Sequence, residues 1–502
     1  MHFLKFIAAL CVSLSTSFLI DTFTSSKSDA RKSKIISRSS PVDNFDPKFD
    51  RRSFVLRILG LISATNLFNC FDFDAKAVPL KEVKFGSPIL TESVLLDLLP
   101  ISGKTANVLQ SIQKEIEKAT ILRTLSNKIS LEGKNITIPA AVWDQVSLVS
   151  NRALEMLNRN RVELEPVFRE VDNAEVQIRR AERGEIVFDE TRSQLIQMKN
   201  ASDYREVEKT LIAQQNALLH LGAMGELLVP AFPFKITTDE QYDSIPHLLG
   251  RALVDLVIRK DQTSLNSTIA IGGNSTLPLK NVQSTFLGNI TLVVDGYSAP
   301  VNSGNFIDLC LRGFYNDLQI NFDKITDVET KEEFGIVIGG TYKGGFVDPV
   351  SGNIRRLPLE ILRYDEKLGN VPFYGAARNT RIFTKSPPVQ TFTIPGAVAT
   401  YHSPNDRNGG SSQFFCFLDE NLNSDGMTMK SSIQSFDGKY SIFGYIISDS
   451  NQISSQLKDT DHNTSYYIDK AIVNYGADNL LKTRAASFKT LLMNKGYSND
   501  EE

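Results

Sequence analysis

The sequence predicts an α+β protein, an N-terminal antiparallel bundle of about four helices followed by a closed antiparallel β-barrel. Three observations carry this. From Leu90 to about Leu228 apolar residues recur at three- and four-residue steps. From Gly250 onward they fall into short alternating segments bounded by Gly, Asn and Pro. Between the two lies the Pro-rich turn Val229–Pro233, which ends the helical pattern.

In the first helix Val108, Ile112, Ile116, Ala119, Leu122, Leu125 and Ile129 share one face, with Thr105 as N-cap and Gly133 marking a break. A second run covers Ala140–Arg183, kinked or divided at Pro166, with Val146, Val149, Leu154, Leu157, Leu164, Phe168 and Val171 turned inward. Ala181–Glu185 is expected as an exposed loop. Helices over Glu190–Lys199 and Asp203–Leu228 complete the bundle. Strands are expected at Ala252–Ile258, Asn289–Val294, Ile336–Ile338, Thr391–Ile394, Gln413–Phe417 and Tyr440–Ile447. One amphipathic helix, Val301–Leu311, interrupts them, capped by Asn302 or Ser303.

The 502 residues carry a net charge of −3, and no basic stripe stands out after the first sixty, so nucleic acid is not an expected partner. Five histidines lack metal-ligand spacing, and neither a metal nor a cofactor is expected. Cys310 and Cys416 are too few for a disulfide framework. Gly339–Gly345 lacks the Gly-Lys-Ser/Thr ending of a phosphate loop and reads as a barrel turn.

Residues 1–77 read as a multipartite address. Lys5 and the apolar run Phe6–Val12 form a short signal peptide, too short to anchor in a bilayer. Asp21–Arg38, rich in Ser, Thr, Lys and Arg, is similar to a plastid transit peptide, and Phe18 before it resembles the transit-peptide start of algae with secondary plastids. Arg51-Arg52, an apolar stretch to Phe68 and Ala75-Lys76-Ala77 are similar to a twin-Arg thylakoid signal. The expected destination is a plastid thylakoid lumen. The alternative is secretion, which six Asn-x-Ser/Thr triplets at Asn135, Asn200, Asn266, Asn274, Asn289 and Asn463 favour. Removing residues 1–77 takes away 11 basic and 7 acidic side chains, leaving 44 against 51 and a net of −7. That balance argues against anchoring to an anionic membrane. The expected organisation is then a helical domain over 78–235, a barrel domain over 245–490 and a disordered acidic tail over 491–502.

Three segments in order resemble the cyclophilin family of peptidyl-prolyl cis-trans isomerases. They are Gly288–Cys310, a strand, an Ala299-Pro300 turn and a helix with Asn305-Phe306; Gly410–Phe415, ending Gln413-Phe414-Phe415; and the hairpin Phe436–Gly444. Leu248–Ala252, Gly345–Pro349, Leu357–Ile361 and Pro372–Gly375 look like the large thylakoid-lumen cyclophilins of plants, which also carry a helical bundle. The resemblance implies a photosystem II assembly role, with lumenal loops of its subunits or other proline-containing clients as partners, and a monomer.

An X–Pro bond turns slowly because resonance raises a barrier of roughly 18–20 kcal/mol. The family lowers it with an Arg that donates toward the imide nitrogen and a Gln that holds the substrate. Aligned on the family's motifs, the Arg position falls on Ile320, the Gln on Ile338, the Trp on Ser435 and the His on Tyr440. The resemblance leaves Ile336, Thr400, Gln413, Phe415, Phe436 and Tyr440 along the peptide groove. Arg378, Arg381 and Arg407 are the arginines that a loop could bring in, and the insertion Lys324–Glu333 lies between the two altered segments. Losing one preorganised donor costs about 3–4 kcal/mol. The expectation is a largely non-catalytic chaperone or assembly factor. The alternatives are an active isomerase and a regulator of a thylakoid membrane protein phosphatase.

Overall fold

Eight strands, each with one apolar row facing its neighbours' apolar rows, close on themselves in the computed structural model. It describes residues 90–132, 137–165, 174–229, 232, 242, 245–270, 276–327, 330–342, 344–349, 351–365, 369–375, 386–418, 430–449, 453–457 and 464–481. The targeting region, Phe168, Val171, the acidic tail, Arg378 and Arg381 lie outside these. Among the described residues the chain starts with α1 (Thr91–Asp97), α2 (Lys104–Glu117), α3 (Thr120–Glu132), α4 (Ala140–Arg159) and α5 (Arg161–Leu164). The long helices α6 (Ala174–Asp203) and α7 (Val207–Glu226) follow, joined by a tight turn in which Arg205 takes a left-handed φ of 58°.

The bundle differs from expectation in three places. The first predicted helix is two, broken at Lys118-Ala119, and α2 starts after Gly103 (φ 88°), without a side-chain cap from Thr105. Ala181–Glu185 lies inside α6. Its Ala, Glu and Arg are strong helix formers, and Gly184 is buried, so packing outweighs the ~1 kcal/mol a helical glycine costs. The sequence alone places the loop at that glycine.

The barrel order is β10-β3-β2-β11-β4-β5-β9-β8, antiparallel throughout. The strands are β2 (Arg251–Ala270), β3 (Thr276–Asp295), β4 (Leu318–Thr326), β5 (Glu333–Gly339), β8 (Ala397–Thr400), β9 (Phe414–Phe417), β10 (Ile442–Asp449) and β11 (Thr464–Tyr475). Outside it, β1 (His247–Leu248) pairs with β12 (Leu480–Leu481), and β6 (Glu360–Asp365) with β7 (Gly369–Tyr374). The helix α8 (Pro300–Leu311) packs on β1 so closely that a Cβ on Gly304 would stand 2.2 Å from the Pro246 carbonyl oxygen. Neither Asn302 nor Ser303 caps α8; its N-cap is Ala299. Thr391–Ile394 is a turn, closed by Thr393 N–H donating to Thr391 Oγ1 at 3.1 Å, although Phe392 and Ile394 alternate inward like strand residues.

Every barrel strand sends one row to an inner core that includes Val254, Leu292, Ile320, Val337, Val398, Phe414, Phe443 and Ile468. The opposite rows, with Val293, Ile336, Ile338, Ala399, Phe415, Phe417 and Tyr445, form an outer core continuous with Leu95, Leu96, Leu99, Leu218 and Leu221 of the helices. Cys310 and Cys416 are buried in the inner core without a disulfide. The described residues, 90–481, accordingly belong to one compact unit.

At the seam Arg251 and Asp295, both fully buried, pair at 2.6 Å. Arg251 also donates to the Leu95 carbonyl of α1 at 3.1 Å, and Ser298 donates to Asp295. Removing one partner strands the other charge in an apolar setting, at about 3–5 kcal/mol. Arg251→Ala is therefore expected to lower the unfolding free energy read from urea titration by that much, with helical and barrel signals melting together. Separate transitions in the wild type would contradict the continuous core.

Candidate functional site

Side-chain alternation decides which predicted residues can meet. Asn321 of β4 stands opposite Ile338 of β5, and the two share a face. Ile320, one residue earlier, points the other way and is buried in the inner core with Val337 and Phe414. The position facing Ile338 is therefore Asn321, and Ile320 does not join the candidate groove. A one-residue slip in a strand exchanges its faces, which a gapped motif alignment cannot see.

The remaining apolar positions do come together. Ile336, Ile338, Phe415, Phe436 and Tyr440 are all buried in the outer core. Phe415 is fully buried, its ring stacked on Phe392 at 5.8 Å and met edge-on by Tyr440 at 5.1 Å and Tyr401 at 6.1 Å. Phe436 meets Phe334 edge-on at 5.5 Å. The covering segment 386–396 is fixed at both ends. Tyr364 donates to the Pro387 carbonyl, Val389 donates to the Leu362 carbonyl, and Ile446 donates to the carbonyl of Gly396, which turns the chain at φ 78°. Midway, Phe392 N–H donates to Asp437 Oδ1 at 2.8 Å.

The polar positions face elsewhere. Thr400 Oγ1 donates to Asn302 Oδ1 at 2.7 Å, and Gln413 Nε2 donates to Thr341 Oγ1 at 2.9 Å. Ser435 sits in the 3-10 turn Ser431–Phe436. His402 stacks on Tyr440 at 4.4 Å, and its two ring nitrogens lie 2.9 Å from the carbonyls of Ser403 and Lys439. Burial lowers the His402 pKa, with Arg407 adding to the effect. The insertion Lys324–Glu333 extends the β4–β5 hairpin, whose Asp327 reaches Lys439 Nζ at 3.6 Å. The turn carrying Phe436 and Tyr440 is thus tied to three separate segments. Among the described residues no three His, Cys, Asp or Glu gather as metal ligands.

Sequence reasoning missed two groups. Phe392 was visible only as an apolar residue in a supposed strand. Glu360 caps α8 from outside, its carboxylate accepting from Val301 N–H at 3.1 Å and from Asn302 N–H and Nδ2 at 2.9 Å each. No local signal points to it, because 58 residues separate it from Asn302.

Residues 280–475 match the model of the family described as cyclophilin type peptidyl-prolyl cis-trans isomerase/CLD. A putative thylakoid lumen peptidyl-prolyl cis-trans isomerase of Synechocystis sp. is 31% identical over 306 residues, 60% of this chain and 67% of that protein. The chloroplastic isomerase CYP38 of Arabidopsis thaliana is 31% identical over 246 residues, 49% of this chain and 48% of its own. The chloroplastic CYP37 of the same plant is 30% identical over 236 residues, 47% and 43%. The chain thus spans about half the length of the two plant relatives.

Burial raises the Glu360 pKa to about 7, against the pull of its N–H donors. Since 7 lies above the ordinary 4.5, the folded state holds the extra proton between those values. The stability Glu360 contributes is full below pH 4.5 and is lost as pH rises through about 7. Melting temperatures across that window are expected to fall less steeply in Glu360→Gln than in the wild type, the remaining slope coming from Asp97, Glu190 and Asp437, whose carboxyls burial also raises.

Proposed function

The chain belongs to the cyclophilin-type peptidyl-prolyl cis-trans isomerase family, and we propose that it is a largely non-catalytic member, an assembly chaperone of the thylakoid lumen. One observation carries the non-catalytic part. The ring of Phe415, which in this family walls the proline pocket, is fully buried under the chain's own Phe392 and Tyr440. A proline ring cannot reach it without displacing segment 386–396. The two polar groups that would act on the amide are also replaced, Gln by Ile338 and the facing position by Asn321, a short neutral side chain. Arg stays charged and offers a rigid fork of donors; Asn offers neither.

The place of action is supported by the three-part address in residues 1–77 and by the thylakoid-lumen and chloroplastic names of the relatives. A secondary-plastid alga as source rests on Phe18 and its surroundings alone. The client class, lumenal parts of photosystem II, follows from the resemblance to large lumenal cyclophilins. Among the described residues no helix is long and apolar enough to cross a membrane.

A second reading, an active isomerase, has one specific support. Arg407 lies close enough to His402 and Tyr440 for its charge to be felt at both. A coupled prolyl-peptide assay on residues 78–502 separates the two. Turnover is expected at a hundredth or less of an ordinary cyclophilin's, with Arg407→Ala changing nothing. Turnover near the control, lost in Arg407→Ala, would make the chain an enzyme. Pull-down from thylakoids is expected to retain photosystem II subunits; retention of a membrane phosphatase instead would support a regulator.

A further inference from the structure

The barrel closes through Ile290–Val294 of β3 against β10 and through Leu253–Gln262 of β2 against β11. Beyond those residues β2 and β3 go on pairing with each other, from Thr263↔Val282 to Ala270↔Thr276. At about 3.3 Å per residue they leave the barrel as a two-stranded ribbon roughly 25 Å long. Among the described residues no strand pairs with the outer edge of Thr263–Ala270 or of Thr276–Phe286. Such an edge presents backbone donors and acceptors that only another extended backbone answers along its length.

Soluble proteins guard edges with charge, with Pro, with bulges or by keeping them short. This one is long, and from Thr263 to Phe286 its one charged residue is Lys280. Pro278 and a bulge between Ser264 and Ser267 are its other defences. At its base Val282 and Phe286, which share a face at strand spacing, are 53% and 66% exposed. Gln283, Ser284 and Thr285 between them are exposed and uncharged.

We propose that the β2–β3 ribbon is a docking edge for an extended, unfolded segment of a client polypeptide, taken up as an added strand. This rests on the chaperone role above and names its partner class. Main-chain hydrogen bonds supply affinity with little regard to client sequence, and Val282 and Phe286 supply an apolar contact. A folded client whose sheet edges are paired or guarded has no strand to give. A second copy of the chain fits less well, because a two-fold pairing of β3 edges puts two Pro278 residues in one ladder where a client strand meets one.

The probe is reduced, carboxymethylated α-lactalbumin, which stays unfolded, with the native protein as control. In the first variant Asn-Gly replaces residues 264–281, closing the ribbon at the Thr263↔Val282 pair with a two-residue turn. The second variant, Val282→Lys with Phe286→Lys, keeps the full ribbon and adds edge charge. By fluorescence anisotropy the full chain is expected to bind the unfolded probe and not the native one. The shortened variant should bind at least tenfold more weakly, and the Lys pair several-fold more weakly. Equal binding by full and shortened chains, or no binding by the full chain, overturns the proposal. Should the shortened chain not fold, unchanged binding by the Lys pair overturns it. Concentration-dependent dimers that vanish with the ribbon, without probe binding, assign the edge to a second copy. Failure to retain photosystem subunits while the ribbon still binds the probe sinks the choice of client and leaves the ribbon's role standing.

Discussion

Several barrel strands are apolar on both faces, and most of the structure follows from that. β9 reads Phe-Phe-Cys-Phe, and β5 carries Phe334, Ile336, Val337 and Ile338. A barrel interior can take only one row from each strand. The other row must be covered from outside, since strands buried on both faces cannot be left to water. The helices cover part of the outer face, reaching Leu253, Val293 and Ile447, and segments 386–396 and 430–440 cover the rest. Helices and barrel therefore share a core, and the polar groups caught between them need partners inside it. Arg251 with Asp295 and the Leu95 carbonyl is that arrangement, a charge fixed where neither half alone would supply all its contacts.

The same cover is consistent with the non-catalytic role proposed above. A guanidinium in place of Ile338 would stand opposite Phe415 of β9, in the outer core that also holds Phe392 and Phe417. An unpaired charge in such surroundings costs more than the face can return. With Ile338 and Asn321 in those places the outer layer packs without an orphan charge. On that proposal the replacement of the family's polar groups and the burial of Phe415 are one adaptation, seen once in composition and once in packing.

The barrel was legible because motif and periodicity agreed over a long stretch, and the helices because their apolar faces are regular. Where the sequence misled, a local rule met a tertiary contact. Gly184 reads as a loop, yet it is buried in the middle of α6. Thr391–Ile394 alternates like a strand because a turn lying on an apolar surface also sends every second side chain inward. The motif puts the family's Arg position on Ile320 because it gives order along the chain but not the face of the strand. Glu360 was invisible for a simpler reason, being near α8 only in space. The length of the β2–β3 ribbon has no signature either, since its polar composition resembles a loop.

Energetics favour the ribbon over the groove as the place where this fold meets an extended chain. Opening the outer face would uncover Phe392 and Phe415 at least, each worth about 1.5–3 kcal/mol when buried. A peptide would have to return that sum before gaining any affinity, and each 1.4 kcal/mol of it is a factor of ten. Segment 386–396 is also held by its own hydrogen bonds to β6, β10 and Asp437. The ribbon edge asks for no such opening, because among the described residues no strand pairs with it and Val282–Phe286 at its base are exposed. A client strand there displaces only water, while the sealed face keeps helices and barrel in one body.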